Sequence, residues 1–242
     1  MELDVVVVSK KGPSDTFGNM IHSTIPTGHL IVDSMTSPLG KARENAVSQV
    51  ETPYFVFVDD DVELPVNWFT AMWGFKDKLE GDEKVGWLES WSIPLKPDWY
   101  YKWNSTRTPK LVRLTKQNAA NYGNAVVVLT EAVRDWRSPP QLDFGEMLHI
   151  LCHILDRGYA AWRLPVPSYH KIDYSEPSEF WKHTVKGMRS TREARPELSL
   201  LAGLGLCLTS WGSATKAFLK TGDPQIMTNG IRWGWNWLKA FT

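Results

Sequence analysis

Residues 54–65 read YFVFVDDDVELP: five apolar or aromatic residues, Tyr54 to Val58, run straight into three consecutive carboxylates, Asp59, Asp60 and Asp61. A short unbroken apolar run bounded by polar residues is the pattern of a strand covered on both faces. Two similar runs precede it, LDVVVVS at 3–9 and HLIVDS at 29–34. The segments between them have helical spacing. The clearest takes Ser37 as N-cap and Pro38 as first helical residue, and buries Leu39, Ala42, Ala46, Val47 and Val50. The next starts near Pro65 and carries Phe69, Met72, Trp73 and Leu79. Such alternation predicts an α/β fold with a mostly parallel central sheet flanked by helices. Ligands of these sheets sit beyond the carboxyl ends of the strands. Ser9, Asp33 and the three aspartates at 59–61 all follow a strand's last apolar residue, so polar side chains are expected to converge there.

Downstream, VGWLESWSI (85–93) reads as a further strand, and the proline- and aromatic-rich segment 91–110 after it as a long functional loop. GNAVVVL (123–129) is a strand, FGEMLHILCHILDRG (144–158) a helix closed by Gly158, and YAAWRLP (159–165) a final strand. These elements make residues 1–176 one catalytic-type domain, followed by a helical tail over 177–242.

At 242 residues and 43% hydrophobic content the chain can fill a sizeable core. Its 27 basic and 27 acidic residues cancel, which removes the global field that nucleic-acid binding would need. The balance hides a split: from Pro177 onward nine Lys/Arg stand against four Asp/Glu, so the tail carries +5 and residues 1–176 carry −5. Cys152 and Cys207 each lie in an apolar helical pattern, which suits buried thiols in a reducing compartment. The N-terminus lacks a basic segment and an apolar h-region, so no signal peptide is expected. The longest apolar run, 198–212, is shorter than the ~20 residues that span a bilayer.

The ordered set of motifs over residues 3–171 resembles the family 2 glycosyltransferases, inverting enzymes of the GT-A fold. It comprises a first strand ending in Ser9, IVDS with Asp33, GKARENAV with Arg43 and Asn45, VDDDVELP, YGNAVVV, FGEMLHILCHILDRGY, and PSYHK with His170. The resemblance implies a GT-A nucleotide-diphospho-sugar transferase fold and a hexosyltransferase-class enzyme. It also implies a divalent metal, Mg²⁺ or Mn²⁺, held by Asp59, Asp61 and His170. Asp60 is an alternative ligand when the motif is aligned on Pro65. The chemistry explains the residue types, because a nucleoside diphosphate leaving group gathers negative charge that a cation on hard oxygens stabilises. By the same resemblance Asp33 contacts the nucleobase, Lys41 and Arg43 sit near the phosphates, and Ser9, Asp59 and Asp60 line the donor site. Three neighbouring carboxylates repel one another, which a bound cation would relieve.

The family's general base comes from a Glu-Asp pair at the start of a helix, where this chain has Glu146 followed by Met147. Glu146, or Asp143 just upstream, is then the candidate base, unless the acceptor is already an anion. The alternative is a catalytically inactive GT-A domain that binds nucleotide sugar or a partner glycosyltransferase. Glu146, His149 and His153 could be taken for a hydrolytic metal site, but no second copy of the pattern exists.

In the tail, Lys182, Lys186, Arg189 and Arg192 recur at helical spacing, and five of the 13 tryptophans follow Pro177. Tryptophan mixed with lysine and arginine is the composition of a helix at a membrane interface. The expectation is a cytoplasmic protein, peripheral at the membrane face, acting on a lipid-linked or glycan acceptor, with the aromatic loop and Trp233, Trp235 and Trp237 at the acceptor or lipid side.

Overall fold

The computed structural model describes residues 2–9, 12–81, 83–118, 123–171, 177–195 and 200–241. Tyr122 of the YGNAVVV segment, residues 198–199 of the leucine-rich run and the expected boundary at 176 lie outside the described residues.

In chain order the elements are β1 (Leu3–Val8), α1 (Asp15–Thr24), β2 (Thr27–Asp33), α2 (Leu39–Ser48), β3 (Tyr54–Val58) and β4 (Val62–Glu63). There follow α3 (Trp68–Leu79), β5 (Val85–Pro94), α4 (Asp98–Ser105), β6 (Val112–Arg113), β7 (Ala125–Leu129) and α5 (Thr130–Val133). The chain continues with α6 (Glu146–Asp156), β8 (Ala160–His170), α7 (Pro177–Ala194), α8 (Leu200–Thr221) and α9 (Pro224–Phe241). It divides into two compact units: residues 1–92 with 109–170, and residues 93–108 with 171–242. This is not a single cut at 176, since the segment 93–108 groups with the C-terminal helices.

The first unit is built on one sheet in the order β2-β1-β3-β7-β5-β8-β4, with β6 pairing β8. The pairs β1–β2 and β1–β3 are parallel, as the alternating pattern predicts. From β3 onward the described pairings β3–β7, β5–β7, β4–β8 and β6–β8 are antiparallel. The sheet is therefore mixed rather than mostly parallel. An apolar run states that a strand is buried but carries no sign of its direction.

Both faces are covered, which is why the strands read as continuous apolar runs. Phe17 and Ile21 of α1 and Trp68 and Met72 of α3 pack with Val56, Val58, Leu88 and Val127 in one core cluster. On the other face Arg43 of α2 lies over the Phe57 ring at 5.0 Å. The start of α2 differs from expectation. Pro38 occupies the cap position without a side-chain bond, and the Ser37–Pro38 peptide is cis.

At the N-terminal end of β1 the fully buried Asp4 accepts hydrogen bonds from the backbone N–H groups of Glu51 at 2.7 Å and Thr52 at 3.1 Å, and meets His29 Nδ1 at 3.1 Å. Burial pushes its carboxyl up, but these partners more than offset that and hold it below the usual range. Asp4→Asn is expected to cost about 2 kcal/mol at neutral pH, the worth of a hydrogen-bonded buried charge. Because the folded pKa is depressed, that stabilisation is complete above the unfolded value of ~3.9 and is lost as pH falls through the folded one. Urea melts of parent and variant should thus converge in acid. A gap unchanged by acid would assign the cost to shape rather than charge.

In the second unit the aromatic segment is not an open loop. Its middle forms α4, whose Trp99 and Trp103 stand at i and i+4 and are buried. They join Phe180, Trp181, Ala214, Ala217 and Ile226 in a separate core, with Trp233 packed against it. These tryptophans hold helices together, which corrects their expected place at an acceptor. Trp103 Nε1–H also donates to Ser213 Oγ at 3.0 Å.

Candidate functional site

The carboxyl ends of β1, β2 and β3 lie side by side. Ser9 follows β1, and its backbone N–H donates to the Asp33 carbonyl at 3.1 Å. Asp33 ends β2 and turns one oxygen back on its own chain, accepting from the N–H groups of Met35 at 3.1 Å and Thr36 at 2.9 Å. Burial raises this carboxyl, yet the bonds to Thr36 and Met35 outweigh it and keep the group below the ordinary carboxylate range.

The three aspartates after β3 are each given a different partner. Asp59 Oδ1 accepts from Arg43 Nη2 at 2.5 Å. Asp60 accepts from the Ser9 hydroxyl. Asp61 Oδ2 stands 3.0 Å from His170 Nε2. The repulsion expected of three adjacent carboxylates is thereby shared among an arginine, a hydroxyl and an imidazole.

What brings His170 there is the register of a strand too short to notice in the sequence. The pair Val62–Glu63 forms β4 against the end of β8, with Val62 opposite His170 and Glu63 opposite Tyr169. The last expected strand does not stop at 165 but runs on to His170. Burial opposes charge on this imidazole, but the Asp61 carboxylate, with Asp59 behind it, holds its pKa above the ordinary histidine value.

Arg43 is 2% exposed and lies between two acids, Asp59 and Glu146, whose Oε1 is 3.4 Å from its Nε. Its Nη1 is buried and has no hydrogen-bond partner among the described residues. Burial opposes the guanidinium charge, and the two carboxylates more than restore it. Glu146 opens α6 behind Gly145, whose φ of +78° suits a residue without a β-carbon. Burial raises the Glu146 carboxyl, Arg43 works against that rise, and Asp59 adds to it. Met147 is buried in the core and Asp143 is exposed in the preceding loop. Lys41 is not brought to the strand ends: it is half-exposed and pairs with Glu44 at 2.9 Å. Two residues from Arg43 on a helix means the other side of that helix.

Sequence reasoning missed a second buried pair. Glu89 of β5 is 1% exposed, is bonded to Arg163 of β8 and accepts from Trp87 Nε1–H at 3.1 Å. By register Glu89, Val126 and Phe57 form one row across β5, β7 and β3, so Glu89 shares the face that carries Arg43. The available signal was an acid in the middle of an apolar strand.

As a cation site, Asp61 and His170 offer an oxygen and a nitrogen 3.0 Å apart. That is close to the edge of an octahedron with bonds of roughly 2.1 Å, the geometry of Mg²⁺, which takes one or two protein ligands and completes its shell with phosphates and water. Asp59 gives its Oδ1 to Arg43, although its carboxylate lies near enough to Asp61 and His170 to interact with both. Among the described residues no group of three His, Cys, Asp or Glu side chains is set to hold a metal ion. The residues present fit a two-ligand site better than the expected set of Asp59, Asp61 and His170.

No family model matches the chain, and no curated protein matches it. Solved structures do. Glucosyl-3-phosphoglycerate synthase from Mycobacterium tuberculosis, in complex with Mn²⁺, UDP and phosphoglyceric acid, is similar with a TM-score of 0.55 at 12% identity over 80% of this chain and 78% of that one. The same synthase with Mg²⁺ and UDP gives a TM-score of 0.52 at 12% identity over 80% and 79%. The crystal structure of a mycobacterial protein gives 0.55 at 14% over 80% and 74%. At such identities the likeness concerns the fold, which is of the GT-A glycosyltransferase type.

Proposed function

We propose that this chain is a divalent-metal-dependent glycosyltransferase that moves a sugar, with inversion as in family 2, from a nucleoside diphosphate donor to a lipid-linked or glycan acceptor. The observation that carries the reading is the Asp61–His170 pair at the strand ends of a GT-A fold. It is supported by the similar synthase structures, which contain Mn²⁺ or Mg²⁺ with UDP. The two cysteines, Cys152 and Cys207, are buried, which supports a cytoplasmic setting.

In this reading a bound cation would neutralise charge on the diphosphate leaving group. Asp61 and His170 would hold it. Asp33 accepts from the nucleobase, and Ser9 and Asp60 fix the strand-end loop beside the donor. Arg43 is a positioning residue, since its charge is spent on Asp59 and Glu146 and keeps both acids in place. Glu146, its pKa raised by burial, takes the acceptor's proton.

A second reading has one observation in its favour. The position after Glu146 is a buried methionine, and Glu146 itself is held by an arginine, as in a domain that binds nucleotide sugar without turning it over. Release of free nucleoside diphosphate from a panel of donors with Mg²⁺ or Mn²⁺ separates the two, because a binding module retains affinity and releases none.

Glu146→Gln should lower turnover about 100-fold or more with little change in donor affinity, since a base acts on the acceptor. Turnover should also rise with pH through the raised Glu146 pKa, because the deprotonated form is the active one. If Asp143→Asn abolishes activity and Glu146→Gln does not, the base is Asp143. If neither matters, the acceptor is already an anion.

A further inference from the structure

The outer side of the α8–α9 hairpin carries what a water-soluble helix pair normally hides. Small residues line much of its seam: Gly203, Cys207 and Ala214 of α8 and Gly230 and Gly234 of α9 are buried, with Phe241 set against Gly203. A β-carbon at Gly203 would come within 2.8 Å of Phe241, and one at Gly230 or Gly234 would collide with Ala214 or the Trp211 indole. The seam is closed and has no room for a leucine.

The leucines are outside. Leu201 and Leu208 are 77% and 54% exposed, and with the exposed Leu204 they share one side of α8 at i, i+3 and i+7. Beside them on α9 stand the exposed Ile231 and Trp235. Trp211 joins the two rows, its indole N–H donating to the Ile231 carbonyl at 3.1 Å and its ring meeting Trp235 at 6.0 Å. α7 leaves this side open. It packs with Ala240 and Phe241 through Met188, and with Trp233 through Phe180 and Trp181. On a 3.6-residue helix Trp233 and Ala240 face away from Ile231 and Trp235. Trp233 and Trp237 are half-buried in these clusters, which corrects the expectation that they insert into lipid.

Small residues inward and large apolar ones outward is the arrangement of helices that pack in lipid rather than water. Among the described residues no helix is long and apolar enough to cross a membrane, so the face suits the plane of an interface. Charge selects the occupant. Beside this face by helical spacing stand the exposed Lys216 of α8 and Lys239 of α9, and neither helix contains an Asp or Glu. Arg232 instead lies over the Trp181 ring at 4.3 Å, and Lys220 donates to the Thr106 carbonyl at 3.4 Å. A second copy docked on this face would bring the same two lysines against these two. An anionic surface instead complements them.

We infer that the outer face of the α8–α9 hairpin lies in the interface of a membrane containing anionic lipid. Leu201, Leu204, Leu208, Ile231 and Trp235 enter the acyl boundary. Lys216 and Lys239 extend their stems along the apolar surface to reach the headgroups. This surface is independent of the transferase reading.

Co-sedimentation of the full chain with vesicles of phosphatidylcholine, with and without phosphatidylglycerol, tests it. Binding to the mixed vesicles at low salt, weakened at high salt, is expected. Leu201→Gln with Leu208→Gln and Trp235→Gln should lower the partition coefficient about tenfold or more, with circular dichroism unchanged because these side chains stand outside the seam. Lys216→Gln with Lys239→Gln should weaken binding and reduce its salt dependence. The inference is overturned if the parent fails to bind mixed vesicles at low salt, if the Gln variant of the apolar face binds as the parent does, or if the parent is a dimer that this variant dissociates.

Discussion

Asp61→Asn is expected to weaken Mn²⁺-stimulated UDP binding about 100-fold or more, while the unfolding midpoint stays within a degree or two of the parent's. Losing one of two protein ligands removes half of the chain's hold on the cation, and a neutral amide is a poor substitute for a hard carboxylate oxygen. The fold should not suffer, because Asp61 is half-exposed beyond the strand end and its protein partner is His170. His170→Ala should give the same loss by removing the other donor. Asp59→Asn is the informative contrast: its carboxylate faces Arg43, so its effect should fall on stability more than on metal affinity. Equal metal-stimulated affinities in Asp61→Asn and parent, measured by titration calorimetry, would move the cation elsewhere.

Arg43→Met is expected to destabilise the protein by about 3–5 kcal/mol, the usual result of removing one partner from a buried ionic cluster. The fold then holds Asp59 and Glu146 side by side without their cation. The double variant Arg43→Met/Glu146→Gln should recover part of the loss, since one of the two uncompensated carboxylates is gone. Urea melts of the two single variants and the double one close the cycle. Strict additivity would mean that Arg43 and Glu146 do not interact and that their 3.4 Å approach contributes nothing. Arg43→Lys should lie between, because an ammonium preserves the charge but cannot reach both acids in one plane.

Much of this was legible in the sequence, and what was not has identifiable physical causes. The strands β1, β2 and β3, and the polar residues that end them, could be read because burial on both faces leaves a local apolar run. The pairing of β7 and the direction of β5 and β8 could not, since they depend on partners distant in the chain. β4 is two residues long, too short for any period, yet its pairing with β8 brings His170 to Asp61. Lys41 and Arg43 looked alike as cations of one helix. Burial separates them, sending Arg43 to the core side and Lys41 to solvent. The Trp99 and Trp103 pair looked like ligand-binding aromatics because the segment is rich in proline, but their i, i+4 spacing was the helical signal that the structure follows. The hairpin of α8 and α9 shows the opposite case. An apolar run alone does not say which side of a helix is covered, and the small residues between the leucines set the seam and leave the leucines outward.

The central claim is that Asp61 and His170 form a cation site that secures a nucleoside diphosphate at the strand ends. Titration calorimetry of the intact chain with UDP, in Mn²⁺ and again in excess EDTA, tests it most directly. The account predicts saturable binding with Mn²⁺ that EDTA abolishes and that the Asp61→Asn and His170→Ala variants lose. UDP binding of equal strength with and without Mn²⁺, or insensitive to both substitutions, would contradict it.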